Sequence, residues 1–259
     1  MVGLLDGNVV LVNGGTQGLG AAIARAAAAA GGVVAVSGRN AERGRALVQE
    51  LESAGATASY VQADLADVEQ VRHAVAEVIA AHHRIDCLVN CAALTTRGTL
   101  LDTTPELFDA HIAVNLRAPF FAMQAVVAHL RSRGAPGAIV NIISSSELGG
   151  QPYLAPYVAS KAGLAGLTRN AAHAHRWERI RINGLDIGWT DTEGEDAIQR
   201  QFHDADDGWR ERAAHSLPMG KLGQVDEIAD FVVFLLSERS GVVTGSVIDW
   251  DQNVFGGLD

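Results

Sequence analysis

Short apolar runs alternate with longer helical stretches along almost the whole chain. Residues 8–13 (Asn-Val-Val-Leu-Val-Asn), 33–37, 57–62, 86–90, 138–143, 181–185 and 245–249 are short enough to read as strands. Helices are expected over 18–30, 41–54, 68–82, 105–131, 157–176 and 224–237. The fourth helix should bend near Pro119, where a backbone donor is lost. Strands spaced by helices of this length require parallel crossovers, with helices on both faces of one sheet. The fold class expected is therefore α/β, a doubly wound parallel sheet, with residues 1–259 forming a single domain. Residues 188–218 break the rhythm, being mixed, acidic and without a strand pattern. An interruption of that length in a compact domain usually carries function, so 189–217 is the expected substrate loop.

Composition narrows the partners. With 48% hydrophobic and 19% charged residues, a chain of 259 residues can bury a sizeable core. The balance of 20 basic against 30 acidic residues gives a net charge of −10, which argues against nucleic acid or an anionic membrane. No apolar run is long enough for a membrane span, and residues 1–6 lack a signal-peptide layout, so a cytoplasmic location is expected. Cys87 and Cys91 flank an apolar run and read as reduced core residues. Neither His82/His83 nor His173/His175 converges from one helical face, so no metal site is expected. The run Asp204-Ala205-Asp206-Asp207-Gly208 looks like part of a calcium loop. Its glycine falls too early and no closing glutamate follows, so it reads as a solvated acidic loop.

Two constellations carry chemistry. Gly14, Gly18 and Gly20 lie between the first strand and the first helix, where glycine lets a backbone approach a pyrophosphate at a helix N-terminus. Tyr157 and Lys161 are four apart on one helical face, and an ammonium beside a phenol lowers its pKa toward working pH. Such a tyrosine can exchange a proton with an alcohol or a ketone.

These motifs, in this order, resemble the short-chain dehydrogenase/reductase family, whose fold is Rossmann-type. The family's Thr-Gly-xxx-Gly-x-Gly turn appears as Asn13-Gly14-Gly15-Thr16-Gln17-Gly18-Leu19-Gly20, and its Asn-Asn-Ala-Gly strand end as Asn90-Cys91-Ala92-Ala93. Its mid-helix asparagine matches Asn115, its serine Ser144, thirteen residues before Tyr157, and its Pro-Gly-xxx-Thr segment Ile187-Gly188-Trp189-Thr190-Asp191-Thr192. The likeness runs from about residue 4 to Thr244-Gly245 and Asp251. Asn13, Cys91, Ala93 and Ile187 depart from the pattern, and none of them is a proton-transfer residue.

The resemblance implies hydride transfer between a nicotinamide cofactor and a carbinol carbon. Ser144 would hydrogen-bond the substrate oxygen, Tyr157 would give or take its proton, and Lys161 would hold the nicotinamide ribose. Asn115 would position a water linking Lys161 to solvent, or serve only to bend its helix. Cofactor contacts are expected from Gly14, Thr16, Gln17, Gly18, Leu19, Arg39, Asp64, Leu65, Asn90, Ala92, Tyr157, Lys161, Ile187, Gly188, Thr190 and Thr192. At the end of the second strand, where an acid would favour NAD, stands Gly38, followed by Arg39. A guanidinium can pair with a 2′-phosphate, so NADP is favoured over NAD. Asp64 matches an adenine-binding aspartate, although a helix N-cap is an equally physical role.

The partner expected is a small alcohol or carbonyl compound. By position, Glu147, Gln151, Tyr153, Trp189, Thr190 and the loop over 193–216 surround the reacting carbon. The acids there (Glu147, Glu193, Glu195, Asp196) could bind hydroxyls of a sugar or polyol, or belong to a solvated lid. A fatty-acyl or steroid ketone reductase is an alternative on the same scaffold, and a non-catalytic NADP-binding sensor a more distant one. The family commonly forms tetramers, so a homotetramer or homodimer is expected, with the apolar face over 122–127 either in an interface or against the sheet.

Overall fold

The computed structural model describes residues 3–254. Its strands are β1 (Val9–Asn13), β2 (Val33–Gly38), β3 (Ala58–Gln62), β4 (Cys87–Asn90), β5 (Gly137–Ile142), β6 (Ile180–Ile187) and β7 (Val247–Trp250). They form one sheet in the order β3-β2-β1-β4-β5-β6-β7, and every pairing is parallel. Sequential strands step outward from β1 to β3 and then resume on the other side with β4. The switch point therefore lies between β1 and β4, at their carboxyl ends.

The strands alternate their side chains between two helical layers. Val10, Val12, Val34, Val36, Val89 and Val140 face α1 (Gly18–Ala29), α2 (Ala41–Ser53) and α9 (Val225–Leu236). Val9, Leu11, Leu88, Ile139 and Ile182 face α3 (Val68–His82) and α5 (Ala118–Arg133). Both faces are covered, which is why these strands read as unbroken apolar runs rather than alternating ones. Each fully buried Val, Leu or Ile contributes roughly 1.5–3 kcal/mol. Ala122, Val126 and Val127 belong to this core, so the face over 122–127 packs on the sheet.

The expected helix over 105–131 is two helices. After α4 (Pro105–Ile112) comes a π-helical turn, Ala113–Arg117, in which the Ala118 amide reaches back to the Ala113 carbonyl, and α5 follows. Pro119, in the first turn of α5, has no N–H for the carbonyl of residue 115, and the wider turn absorbs that loss. β6 is longer than expected because Ile187 continues the ladder opposite Trp250. A proline there would have removed a donor.

α6 (Ala155–His175) follows β5 through a 3-10 turn, Ser145–Leu148. The acidic interruption holds two helices, α7 (Glu193–Phe202) and α8 (Trp209–His215). Its acids have a helical reason: Glu193, Glu195 and Asp196 occupy the first turn of α7, where the helix dipole favours negative charge, and Thr192 caps the Glu195 amide at 2.9 Å. Arg210 ties the segment together, donating to Asp191 at 2.8 Å and Asp196 at 2.9 Å. Between the helices, Asp206 caps the Gly208 amide at 2.9 Å and pairs with Arg212 at 2.7 Å.

Candidate active site

A row of buried amides aligns the carboxyl ends of the central strands. Ser37 Oγ donates to Asn13 Oδ1 at 2.7 Å, Asn13 Nδ2 to Asn90 Oδ1 at 3.1 Å, Asn90 Nδ2 to Asn141 Oδ1 at 2.8 Å, and Asn141 Nδ2 to Thr168 Oγ1 at 2.9 Å. The row crosses β2, β1, β4 and β5 and ends on α6. It gives Asn13 and Asn90 a positional job, since each residue is register partner to the next along the sheet. Asn90 is 4% exposed and its side chain serves this row rather than the wall of the neighbouring cleft.

Above this row opens a cleft of about 1140 Å³. Its nucleotide end is formed by Gly14, Thr16, Gln17, Gly18 and Leu19, with Arg39, Asp64, Leu65 and Ala92 along the rim. Gly14 has φ +78°, and a Cβ there would lie 2.6 Å from the Ala92 backbone, so only glycine fits this turn. Gly18 has φ +51° and opens α1, presenting its unpaired amides. Gly38 offers no acid to select against a 2′-phosphate, and a Cβ there would meet the Thr16 side chain tightly, at 3.0 Å. Arg39 is exposed beside it and lines the cleft. Asp64 is not the cap of α3. Asp67 is, accepting from the Glu69 amide at 2.9 Å, while Asp64 accepts from Ala66 N at 3.0 Å in a turn at the cleft edge. A glycine cradle, a helix N-terminus and a free guanidinium fit a phosphorylated dinucleotide.

Ser144, Tyr157 and Lys161 line the same cleft, as do Ile187, Gly188, Thr190 and Thr192. Ser144 lies two residues beyond β5 in extended conformation and caps the following turn, and one helical turn of α6 brings Tyr157 and Lys161 together. The Lys161 ammonium lies 5.6 Å from the Tyr157 ring centre and donates to the Ile142 carbonyl at 2.8 Å. Burial pushes the Tyr157 phenol up to about 12, against a hydrogen bond with Ser144 that lowers it. Burial also brings Lys161 down to about 8. The expected depression of Tyr157 by Lys161 is thus not seen in this geometry; burial wins.

Asn115 lies in the π turn, fully buried and outside the cleft. Its Oδ1 accepts from Leu94 N at 2.7 Å, and its Nδ2 donates to Leu94 O at 2.9 Å and Ser160 Oγ at 3.0 Å. The side chain therefore clamps the segment after β4 to α6, with both Nδ2 hydrogens committed to Leu94 O and Ser160 Oγ. Glu147, expected near the reacting carbon, also lies outside the cleft, with Arg169 at 4.0 Å.

Gln151, Tyr153, Trp189 and Thr190 do line the substrate end, and of the acids in α7 only Glu195 reaches it. The Glu195 Oε1 accepts from Trp189 Nε1 at 2.8 Å and from Gln199 Nε2 at 2.7 Å. Gln199, His203 and Leu217, from the expected substrate loop, also line this end, and so does Arg97, which lies outside that loop. Arg97 follows the Asn90-Cys91-Ala92-Ala93 strand end by a few residues, and its charge in an otherwise apolar and hydroxyl stretch was the available signal.

The short-chain alcohol dehydrogenase model described as enoyl-(acyl carrier protein) reductase matches residues 14–253. The chain is 33% identical over 256 residues to an L-rhamnose 1-dehydrogenase (NAD(P)(+)) of Azotobacter vinelandii, covering 97% of this chain and 98% of that one. It is 32% identical over 247 residues to a 3-oxoacyl-(acyl-carrier-protein) reductase of Thermotoga maritima, with 95% and 97% covered. A single-substitution variant of actinorhodin polyketide ketoreductase, crystallised with NADPH, superposes with a TM-score of 0.90 at 29% identity, covering 95% of this chain and 96% of that one. With its switch-point glycine turn and its Ser144, Tyr157 and Lys161 in one cleft, the chain belongs to the short-chain dehydrogenase/reductase family of oxidoreductases.

Proposed function

We propose that this chain is an NADP-dependent oxidoreductase that interconverts a secondary alcohol and a ketone. The observation that carries this reading is that one cleft joins the Gly14–Leu19 turn and Arg39 to Ser144, Tyr157 and Lys161. NADP is favoured over NAD because Gly38 carries no discriminating acid and the exposed Arg39, without an acid partner among the described residues, stands beside it. The relative crystallised with NADPH and the relative named for NAD(P) support the cofactor class. Bound nicotinamide supplies or accepts the hydride. Ile187, Gly188, Thr190 and Thr192 form the wall beside which the nicotinamide end would lie.

The chain's own part is orientation and proton handling. The Ser144 hydroxyl donates to the substrate oxygen and fixes it against the Tyr157 phenol. A phenol held at about 12 is protonated through the neutral range, which is the form that donates to a carbonyl oxygen during reduction. Lys161 brings positive charge beneath the phenol ring and favours its ionised form when an alcohol is oxidised. Residues 1–259 act as one catalytic unit in this reading, residues 189–217 as its substrate loop, and the protein works in the cytoplasm as a homotetramer or homodimer. No helix among the described residues is long and apolar enough to cross a membrane.

The test is a panel of polyols, aldoses, oxo acids and secondary alcohols with NADP(H) and NAD(H), followed by nicotinamide absorbance. NADP-linked turnover of at least one carbinol or ketone is expected, with NADP preferred. NADPH binding with no turnover anywhere on the panel contradicts the enzyme reading and leaves a sensor.

A further inference from the structure

The substrate end of the cleft holds a cation with unspent donors. Arg97 donates through Nε to His203 Nε2 at 3.2 Å and through Nη1 to Thr95 O at 3.2 Å, and its Nη2 lies 3.1 Å from the same His203 nitrogen. Its guanidinium also lies 5.4 Å from the centre of the Tyr153 ring, which braces it in the cleft wall. No carboxylate pairs with it among the described residues, whereas other cations of the loop region, Arg200, Arg210 and Arg212, each have an acid. A guanidinium has five N–H donors, so at least one on each terminal nitrogen remains free. That pair is what a carboxylate accepts in a fork.

Glu195, on α7, lines the same cleft. Its Oε1 takes both Trp189 and Gln199, and its Oε2 has no partner among the described residues. The charges of Glu195 and Arg97 act on Tyr157 in opposite senses, so both bear on the proton-transfer group. Both groups line the cleft and are only partly buried, so a polar substrate could take the place of the water that meets them.

We propose that the substrate is a small oxo or hydroxy acid, its carboxylate held by Arg97 and a further hydroxyl donated to the free oxygen of Glu195. This rests on the oxidoreductase reading of the cleft and narrows it to one substrate class. Arg97 is then a specificity-determining residue: it fixes which end of the molecule points away from Tyr157, and so which carbinol carbon reacts.

The experiment compares acids with their neutral counterparts. D-gluconate, L-threonate and 3-hydroxybutyrate are each set beside the corresponding primary amide, for turnover with NADP and for calorimetric binding to the NADP-loaded protein. For at least one pair the acid is expected to exceed the amide by about 100-fold in wild type. The ratio should collapse to about 3-fold or less in Arg97→Met and be intermediate in Arg97→Lys, which keeps the charge and loses the fork. Acid and amide alike in wild type, no acid-selective binding for any pair, or a ratio that survives in Arg97→Met, each overturn the proposal. Acid-selective binding lost in Arg97→Met, but without turnover of any compound, upholds the carboxylate site and sinks the oxidoreductase reading. Turnover of neutral alcohols alone does the reverse.

Discussion

Lys161 shows how far the site departs from what folding alone would select. An amine at 1% exposure loses its hydration, and one hydrogen bond to Ile142 O is all that replaces it. Its pKa of about 8 lies below the ordinary 10.5. Between those two values the unfolded chain holds more protons than the folded one, so raising the pH through that window stabilises the fold. Below pH 8 both states are protonated, and the cost of burying the charge is felt in full. Lys161→Met removes this contribution. The melting temperature of wild type relative to the variant should therefore rise by roughly 5 °C between pH 8 and pH 10. A difference that stays flat across those pH values contradicts the burial account. The spacing of Tyr157 and Lys161 gained meaning only beside the Gly14–Gly20 turn and Ser144, and their titration was not legible at all, because it depends on how completely α6 and β5 enclose them. Arg97 was missed for a related reason: a single arginine after a strand carries no spacing signal until a fold places it beside Tyr157's cleft.

At the scale of elements, most boundaries were legible because β-branched runs and glycine turns punctuate the chain clearly. The π turn was not. Pro119 marked a distortion, but a proline's lost donor is felt one turn earlier, at the carbonyl of Asn115, and the wider turn sits there. This places the Asn115 amide against the backbone of Leu94. Asn115→Ala leaves two part-buried backbone groups of Leu94 without their protein partner, and should cost about 1–3 kcal/mol in urea unfolding. A variant as stable as wild type but inactive would instead favour a direct chemical role. The amide row across Asn13, Asn90 and Asn141 was also written in the sequence, as an asparagine ending two of the apolar runs and interrupting a third. Its meaning needed the strand order, since β4 lies beside β1 and β5 only once the sheet has doubled back.

Over the whole molecule, a rigid parallel sheet supports a cleft whose outer wall is the α7–α8 segment. That wall is held by polar contacts: Arg210 to Asp191 and Asp196, Trp209 Nε1 to Asp196 at 2.8 Å, and the stacked Trp189 and Trp209 rings 6.0 Å apart. The Arg210 ion pairs among these contacts are partly open to water and contribute little to global stability. Arg210→Ala should therefore shift the melting temperature by less than about 2 °C. It should also raise KM and speed proteolytic cleavage between residues 193 and 216, as read by limited digestion. A global loss of stability with no change in local cleavage contradicts the view of this segment as a separately held wall. The acidic run had two open readings in the sequence, hydroxyl binding and a solvated lid. Helix-terminal placement accounts for Glu193 and Asp196, and only Glu195 turns to the cleft.

The central claim is that Tyr157 handles the proton while a cradle built at the switch point holds the cofactor. Tyr157→Phe keeps the ring and its packing and removes only the hydroxyl. The direct measurement is turnover of this variant beside its NADPH dissociation constant, using the best substrate from the panel. Turnover is predicted to fall by about 1000-fold with NADPH affinity within about 3-fold of wild type. Turnover within a few-fold of wild type, with the cofactor still bound, would contradict it.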